Sequence, residues 1–518
     1  MNNIPNLCIG DVSPNGQVSI LDEDRLSYSV LNNSKGAVGI RTISKSLLNE
    51  FIGYIIEHPD NTPTEVRNEL CGRTKIDKFE YGYASTLCIM AQMAISKRNA
   101  YRTDKSNENQ NRLSPDDISY ISAIKTKPFV ILGGFSGTGK SQKVKELAFA
   151  TCPNNSHLRT SETTPGNYLL LSVKPNWHDA TEITGFRSSV NRNYYVTDFM
   201  RFLIKAMHFP NVPFFVCLDE MNLAPVEEYF ADFLSVIESR KKTSSGQIVT
   251  DAIIPASVFN EEYNDNFCIF DCLGFERMDR GMTDDGLHET LLGKFIRIDL
   301  INKIKRDGLT IPSNVIIIGT VNMDDTTNSF SRKVIDRAMT FETVVGKFGD
   351  EYFNSDVALN YVKNPLKGEL FLSDEVRATQ MIDEGRFILT KEEQTKILNF
   401  INDINEDLDG SPFKISYRIL NETILLYRSK KRMVEIMKDE DGLADGVEFK
   451  TDLNTIFDDI LMQKVLPRIE GDYEKCSKCL NKLSSRADNN DWKKSYDKIE
   501  FMIKRFGSDR SGFTSFWN

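Results

Sequence analysis

The chain has 518 residues, of which 40% are hydrophobic and 27% are charged, as in ordinary globular proteins of two to four domains. No apolar run approaches the roughly 18 residues that a membrane span needs, so the composition excludes a membrane-spanning protein. The net charge of −10 excludes a protein whose whole surface binds nucleic acid, so any DNA contact must be local or supplied by a partner.

The N-terminal region, residues 1–103, is predicted to be a mainly helical module. Its first 15 residues lack a basic stretch followed by an apolar core, so they predict no secretory signal and a cytoplasmic location. Apolar residues recur at helical spacing over residues 42–56, and residues 81–95 form a second predicted helix. Two roles are open for this module: recognition of DNA or protein, or a helical adaptor that only stabilises an assembly. Residues 104–117 are polar and rich in Asn and Ser, which predicts a linker.

Residues 118–345 are predicted to form an α/β domain. Short apolar runs alternate with helical segments, and continuous apolar strands separated by helices indicate a parallel sheet with helices on both faces. Polar, glycine-bearing sequence at about 243–309 interrupts this rhythm and predicts an insertion of hairpins or loops. Residues 346–518 are predicted to be helical, as a lid and a C-terminal region. The predicted strands are 129–132, 168–173, 214–218 and 315–319.

A glycine-rich segment follows the first of these strands and precedes a predicted helix. Such a turn lets several backbone N–H groups point at a phosphate without side-chain clashes, and the helix N-terminus adds partial positive charge. Lys140 is predicted to contact the β- and γ-phosphates, and the Ser141 hydroxyl is predicted to bind Mg²⁺. The predicted nucleotide-binding residues of this P-loop are Gly134, Phe135, Ser136, Gly137, Thr138, Gly139, Lys140, Ser141 and Gln142.

Polar side chains also follow two later strands. Asp219 and Glu220 end the strand at 214–218, and strand ends face the crevice where nucleotides bind in open parallel sheets. Asp219 is predicted to hold Mg²⁺ through water, and Glu220 to polarise the attacking water. Asn322 ends the strand that begins at Val315, and it is predicted to help orient that water.

Three arginines further along the chain are candidates for phosphate contacts. Arg332 and Arg337 lie on the next predicted helix, where a guanidinium inserted into a neighbouring subunit's site would stabilise the charge of phosphoryl transfer. Arg418 lies in the helical region and is a candidate contact to the γ-phosphate from a lid. For Arg332 and Arg337 the alternative is a surface salt bridge, and for Arg418, a lone arginine, both a phosphate contact and no such contact are open.

Several stretches resemble the nucleotide-hydrolysing subunits of McrB-type, modification-dependent restriction systems, which belong to the dynein-related branch of the AAA+ class. The resemblance covers roughly residues 125–475. It is carried by Val173-Lys174-Pro175-Asn176-Trp177-His178-Asp179 through Gly185-Phe186, by the run from Asp219-Glu220-Met221-Asn222 to Phe230, by Ile311-Pro312-Ser313 through Asn322, and by Val465-Leu466-Pro467-Arg468-Ile469-Glu470-Gly471.

The resemblance implies an AAA+ nucleotide domain with a helical lid, a hexameric ring of identical subunits and nucleotide sites shared between neighbours. It also implies an McrC-like partner that carries the nuclease, and an N-terminal domain that binds double-stranded target DNA. The matching functional residues are Lys140, Ser141, Asp219, Glu220 and Asn322, with Arg337 as the favoured finger in trans. We find no nuclease signature and no membrane partner, so the chain alone is predicted to hydrolyse nucleotide and not to cut DNA.

Two departures leave alternatives open. The family's usual signature places an Arg after the sensor asparagine, where this chain has Thr326, so contact with a partner is in question. The McrB prototypes use GTP, whereas related dynein-like and MoxR-like proteins use ATP, and no Asn-Lys-x-Asp motif is present. Besides a motor in DNA restriction or antiviral defence, the sequence is compatible with an ATP-driven remodeller of protein complexes that never binds DNA, or with a nucleotide-dependent switch.

Overall fold

A computed structural model describes most of the chain from residue 113 onward and four strands before it. The structure contains two compact units, Met1–Gln110 and Asn111–Asn518. The described residues are 12–13, 16–20, 25–31, 38–44, 113–188, 190, 194–260, 273, 276–278, 295–323, 330–343, 359–439, 451–508 and 512–517.

The described part of the first unit is an antiparallel sheet. Its four strands, in spatial order, are β1 (Val12–Ser13), β2 (Gly16–Ile20), β3 (Arg25–Leu31) and β4 (Val38–Ser44). The prediction of a helix from residue 42 is therefore wrong for residues 42–44, which belong to β4. The sequence of β3 explains the strands, since Leu26, Tyr28 and Val30 alternate with serines at a period of two. The rest of 42–56, and 81–95, lie outside the described residues.

The second unit begins with alternating helices and strands. Up to residue 260 its elements are α1 (Pro115–Thr126), β5 (Phe129–Gly134), α2 (Lys140–Thr151), β6 (Tyr168–Ser172), α3 (Thr181–Thr184), β7 (Phe186–Arg187), β8 (Tyr194–Tyr195), α4 (Asp198–His208), β9 (Phe214–Asp219), α5 (Val226–Tyr229), α6 (Ala231–Glu238), β10 (Lys241–Lys242), β11 (Ile248–Val249), β12 (Ala252–Ile254) and α7 (Ala256–Asn260). Helix α1 starts inside the segment predicted as a linker, with Ser114 and Asp117 forming a capping box around Pro115.

Helices dominate the remainder of the unit. Its elements are β13 (Glu276–Met278), β14 (Phe295–Arg297), α8 (Ile298–Asp307), β15 (Leu309–Thr310), β16 (Val315–Asn322), α9 (Arg332–Ile335), β17 (Met339–Thr343), α10 (Ala378–Asp383), α11 (Lys391–Asp407), α12 (Tyr417–Asp439), α13 (Leu453–Ile460), β18 (Glu470–Asp472), α14 (Tyr473–Asn489), α15 (Lys493–Ser508) and β19 (Phe513–Ser515). The described part of 243–309 contains β11, which pairs with β10 in a hairpin, and β12, which pairs with β15 at the end of the range.

A five-stranded parallel sheet flanked by helices organises this unit, which confirms the predicted α/β fold class. The strand order is β17-β5-β16-β9-β6. All of β5 is buried, and so is β16 except for its last residue, as expected for strands covered on both faces. The register pairs Asn322 with Gly134, Thr343 with Gly134, and Ser172 with Asp219. The carboxyl ends of all five strands therefore meet at one edge of the sheet.

Buried ion pairs connect the helical region to the sheet. Glu422 of α12 forms ion pairs with Lys127, just before β5, and with Lys464 at 2.9 Å. Burial lowers the pKa of Lys464 to about 8, although the Glu422 carboxylate opposes this shift. Since all three side chains are nearly inaccessible, these contacts fix α12 against the start of β5. Among the described residues, no helix is both long enough and apolar enough to cross a bilayer.

Candidate functional site

The segment between β5 and α2 forms an open loop lined by backbone. Gly137 and Gly139 have φ angles of 80° and 74°, in the left-handed region that glycine adopts without strain. A Cβ built on either residue would have no atom within 4 Å, so both glycines border open space. Gly139 also precedes the first turn of α2, where unpaired N–H groups and the helix dipole favour an anion.

The Lys140 side chain lies inside this loop. Its ammonium donates to the backbone oxygens of Gly134 at 2.9 Å and Phe135 at 2.7 Å, and the residue is only 6% exposed. Phe135 itself is largely exposed, at 61%. The charge of Lys140 thus lies at the centre of the loop, where a bound phosphate would be within reach of it.

Strand β17 supports the base of the loop. The Thr343 hydroxyl donates to the Gly133 oxygen at 2.9 Å and lies 3.1 Å from the Thr138 hydroxyl. A Cβ on Gly134 would lie 2.1 Å from the Thr343 hydroxyl, so glycine is needed there for close approach. The edge strand of the sheet therefore fixes both ends of the loop.

Ser141, Asp219 and Thr320 meet at the ends of three elements. The Ser141 hydroxyl donates to Oδ1 of Asp219, and the buried Thr320 hydroxyl donates to the same oxygen at 2.7 Å. One hydroxyl and one carboxylate are the oxygen ligands that Mg²⁺ prefers when phosphates and water complete its shell. In the part of the chain that the structure describes, no group of three or more His, Cys, Asp or Glu side chains could hold a metal alone.

Glu220 lies beside this pair in an unusual backbone conformation. Its φ of 54° and ψ of 48° are left-handed, which costs a non-glycine residue about 1–3 kcal/mol. Its N–H donates to the Thr320 hydroxyl at 3.0 Å, and the Asn322 amide donates to its Oε1 at 3.1 Å. Residues on β16 therefore fix both the backbone and the side chain of Glu220.

The structure thus brings together five of the residues predicted from the sequence. Lys140 and Ser141 begin α2 after the loop that follows β5, whereas Asp219, Glu220 and Asn322 lie at the carboxyl ends of β9 and β16. The strands β5, β16 and β9 are neighbours in the sheet.

Neither Thr320 nor Thr343, which hold this arrangement, is among the site residues predicted from the sequence. Thr320 is the one polar side chain in β16 before Asn322, and that signal was available in the sequence. Thr343 carries no such signal, because its role depends on the pairing of β17 with β5.

Other predicted residues lie elsewhere. The Gln142 amide donates to Glu146 one turn along α2. Arg332 donates to the Pro412 oxygen at 2.7 Å and stacks over the Phe413 ring. Thr326 lies outside the described residues.

Arg337 and Arg418 both pair with Glu238, at 3.8 Å and 2.5 Å. The prediction that Arg337 lies on a helix is wrong, because α9 ends at Ile335 and Arg337 precedes β17. The first residue of β17 pairs with Val130 near the start of β5. Since β17 and β5 are parallel, Arg337 lies at the edge opposite the phosphate loop. The four steps from Met339 to Thr343 alone span about 13 Å, farther than an arginine side chain extends. The structure therefore does not bring Arg337 or Arg418 to the loop between β5 and α2.

Comparison with known proteins gives one family match. A model described as "Domain of unknown function (DUF8727)" matches residues 372–511. This segment lies in the helical region after the sheet and contains none of the residues that meet around the phosphate loop. No curated protein matches the chain at a significant level.

Proposed function

We propose that the chain is a Mg²⁺-dependent nucleoside triphosphatase of the AAA+ class that hydrolyses ATP or GTP. The observation that carries this proposal is the convergence of the open glycine loop, the Ser141–Asp219 contact and the Glu220–Asn322 hydrogen bond at one edge of the sheet. Loop N–H groups and Lys140 would bind the β- and γ-phosphates. Ser141 and Asp219 would hold Mg²⁺, which neutralises charge on the transferred phosphoryl group.

Within this site Glu220 is the residue that would orient the attacking water. Its carboxylate is held by the Asn322 amide on one side, so the second oxygen remains available to accept a hydrogen bond from water. Positioning of this kind, with little covalent chemistry by the protein, is the main catalytic contribution in phosphoryl transfer.

A ring of identical subunits, with the hexamer as the proposed stoichiometry, is supported by the position of Arg337. At the edge of the sheet opposite its own phosphate loop, this guanidinium has a role in phosphoryl transfer only at a neighbouring subunit's site. In the single subunit Arg337 donates to the Lys333 oxygen at 2.8 Å and lies 3.8 Å from Glu238, too far for a hydrogen bond. Its transfer to a phosphate would therefore break one hydrogen bond to a backbone oxygen.

The biological role that best fits is the motor or regulatory subunit of an McrB-like restriction or antiviral defence system, acting with an McrC-like nuclease. This part of the proposal depends on the resemblance of residues 173–186, 219–230, 311–322 and 465–471. In such a system the N-terminal unit would bind double-stranded DNA. A remodeller of protein complexes is the alternative, and it predicts hydrolysis that DNA does not affect.

Steady-state phosphate release with ATP and with GTP tests the enzymatic proposal. We expect one nucleotide to be turned over, and Glu220→Gln to bind it without turnover. Lys140→Ala should lose binding as well. Binding of neither nucleotide by the unaltered chain, alone or with a neighbouring McrC-like gene product, would refute the proposal.

Duplex DNA, modified and unmodified, distinguishes the two biological roles. Added at low salt, it should raise the hydrolysis rate of a DNA motor. Unchanged rates with both duplexes, in the presence of the partner, would favour the protein remodeller.

A further inference from the structure

The indole of Trp517 packs directly behind the phosphate loop. Trp517 follows β19, which pairs antiparallel with β18, and it is only 8% exposed. A Cβ built on Gly133 would lie 3.2 Å from the Trp517 ring. Gly133 is the residue before Gly134, where β5 ends and the loop begins. Glycine at position 133 is therefore required for the ring to approach this strand.

The same indole lies at the end of β16. The methyl of Met323 would be 2.5 Å from the built Gly133 Cβ, so Met323 and Trp517 crowd the same point. Met323 directly follows Asn322, and its N–H donates to the Gly134 oxygen at 3.1 Å. Trp517 thus packs where the strand of the phosphate loop meets the strand that carries Asn322.

The helical region holds the indole in place. The indole N–H donates to the Pro467 oxygen at 3.0 Å, and the Thr514 hydroxyl donates to the Met502 oxygen on α15 at 2.7 Å. A second contact comes from Lys498 of α15, which donates to Glu342 at 2.7 Å, next to Thr343. The segment α15–β19 therefore contacts the base of the loop at two points.

We propose that Trp517 is a positioning residue for nucleotide hydrolysis, which couples the helical region to the phosphate loop and to Asn322. This inference rests on the proposed function. The Gly133 and Gly134 oxygens accept from Thr343, Lys140 and Met323, so a displacement of Gly133 would move each of these groups. Because a misplacement of about 1 Å can slow a reaction on the order of 100-fold, loss of the ring should affect catalysis as well as stability.

Trp492 provides a matched control. It is also nearly inaccessible, its indole N–H donates to Asn454 at 2.7 Å, and it packs on Phe400 and Phe457 within the helices. Trp492→Ala and Trp517→Ala should both lower the melting temperature. Only Trp517→Ala should also raise KM for the nucleotide and lower kcat, so that kcat/KM falls about tenfold. Trp517→Phe should retain most of the unaltered kcat/KM. Equal kinetics for the two alanine variants would overturn the proposal.

Fluorescence supplies a readout that does not depend on turnover. The chain has three tryptophans, so Trp177→Phe with Trp492→Phe leaves Trp517 as the single emitter. Binding of MgATP or MgGTP should change its emission, because the ring contacts the strand that leads into the loop. Nucleotide binding with unchanged emission would contradict the coupling and leave the proposed function intact. No binding and no turnover by the unaltered chain would instead refute both.

Discussion

Thr320→Val is the substitution that most sharply tests how the site is held together. Valine has nearly the same shape, so it removes the hydroxyl without opening a cavity at this buried position. The hydroxyl donates to Asp219 and accepts from the Glu220 N–H. A hydrogen bond to a charged group contributes about 1.5–3 kcal/mol and a neutral one about 0.5–1.5 kcal/mol.

The lower part of these ranges applies, because Ser141 still donates to Asp219 in the variant. The sum is about 2.5 kcal/mol, which corresponds to a fall in kcat on the order of 50- to 100-fold if all of it is expressed in the transition state. The loss should appear in kcat rather than in nucleotide affinity, because the Lys140 loop is untouched and Glu220 acts on water.

Steady-state phosphate release, a nucleotide titration and a thermal melt together measure this effect. Thr320→Ser keeps the hydroxyl and should retain most of the turnover. A Thr320→Val protein that melts normally and hydrolyses at the unaltered rate would refute the view that this hydroxyl positions Glu220. A fall in affinity with constant kcat would place its role in Mg²⁺ or nucleotide binding instead.

Three further substitutions test separate features. Gly137→Ala adds a Cβ that meets no atom but imposes a left-handed backbone on alanine, so a titration should show about fivefold to tenfold weaker nucleotide binding. Arg337→Ala should leave stability within about 1 kcal/mol, because its 3.8 Å contact with Glu238 is too long for a hydrogen bond, yet lower phosphate release about 1,000-fold. Mixing it with Glu220→Gln subunits should restore part of the turnover, and failure to do so would count against a shared site. Burial alone would raise the pKa of the Glu393 carboxyl, but hydrogen bonds from the Tyr427 hydroxyl and from a backbone N–H at the start of α11 lower this pKa to about 2. The stabilisation by the Glu393 carboxylate is therefore complete above pH 4.5 and is lost as the pH falls towards 2. The free energy of unfolding of Glu393→Gln should be about 1 kcal/mol lower at neutral pH, and it should change less with pH between 4.5 and 2.

The fold of the sheet could be predicted because its information is local. Four of its five strands contain a continuous apolar run, and a run of this kind needs no knowledge of its neighbours to be recognised. The fifth strand, β17, alternates apolar and polar residues and was not predicted. The polar residues that end these runs were then predicted to meet, because the carboxyl ends of parallel strands share one edge. Asp219 and Asn322 follow this rule, and the register confirms that their strands are adjacent.

The N-terminal strands were missed although β3 carries a local signal, the alternation of apolar residues with serines. In residues 42–56 the helical spacing of apolar residues outweighed the alternation that begins earlier in β3 and β4, and residues 42–44 pair with β3. When a short segment shows both the helical and the strand period, its secondary structure is decided by the elements it packs against in the fold.

Long-range pairing also decides which side chains complete the site. Thr343 reaches the loop because β17, the last strand of the five-stranded sheet in chain order, lies next to β5, the first. Arg418 is separated from Glu238 by 180 positions, and only the folded chain reveals that this arginine shares a carboxylate with Arg337. Such contacts depend on pairing across the fold, which no local pattern in the sequence encodes.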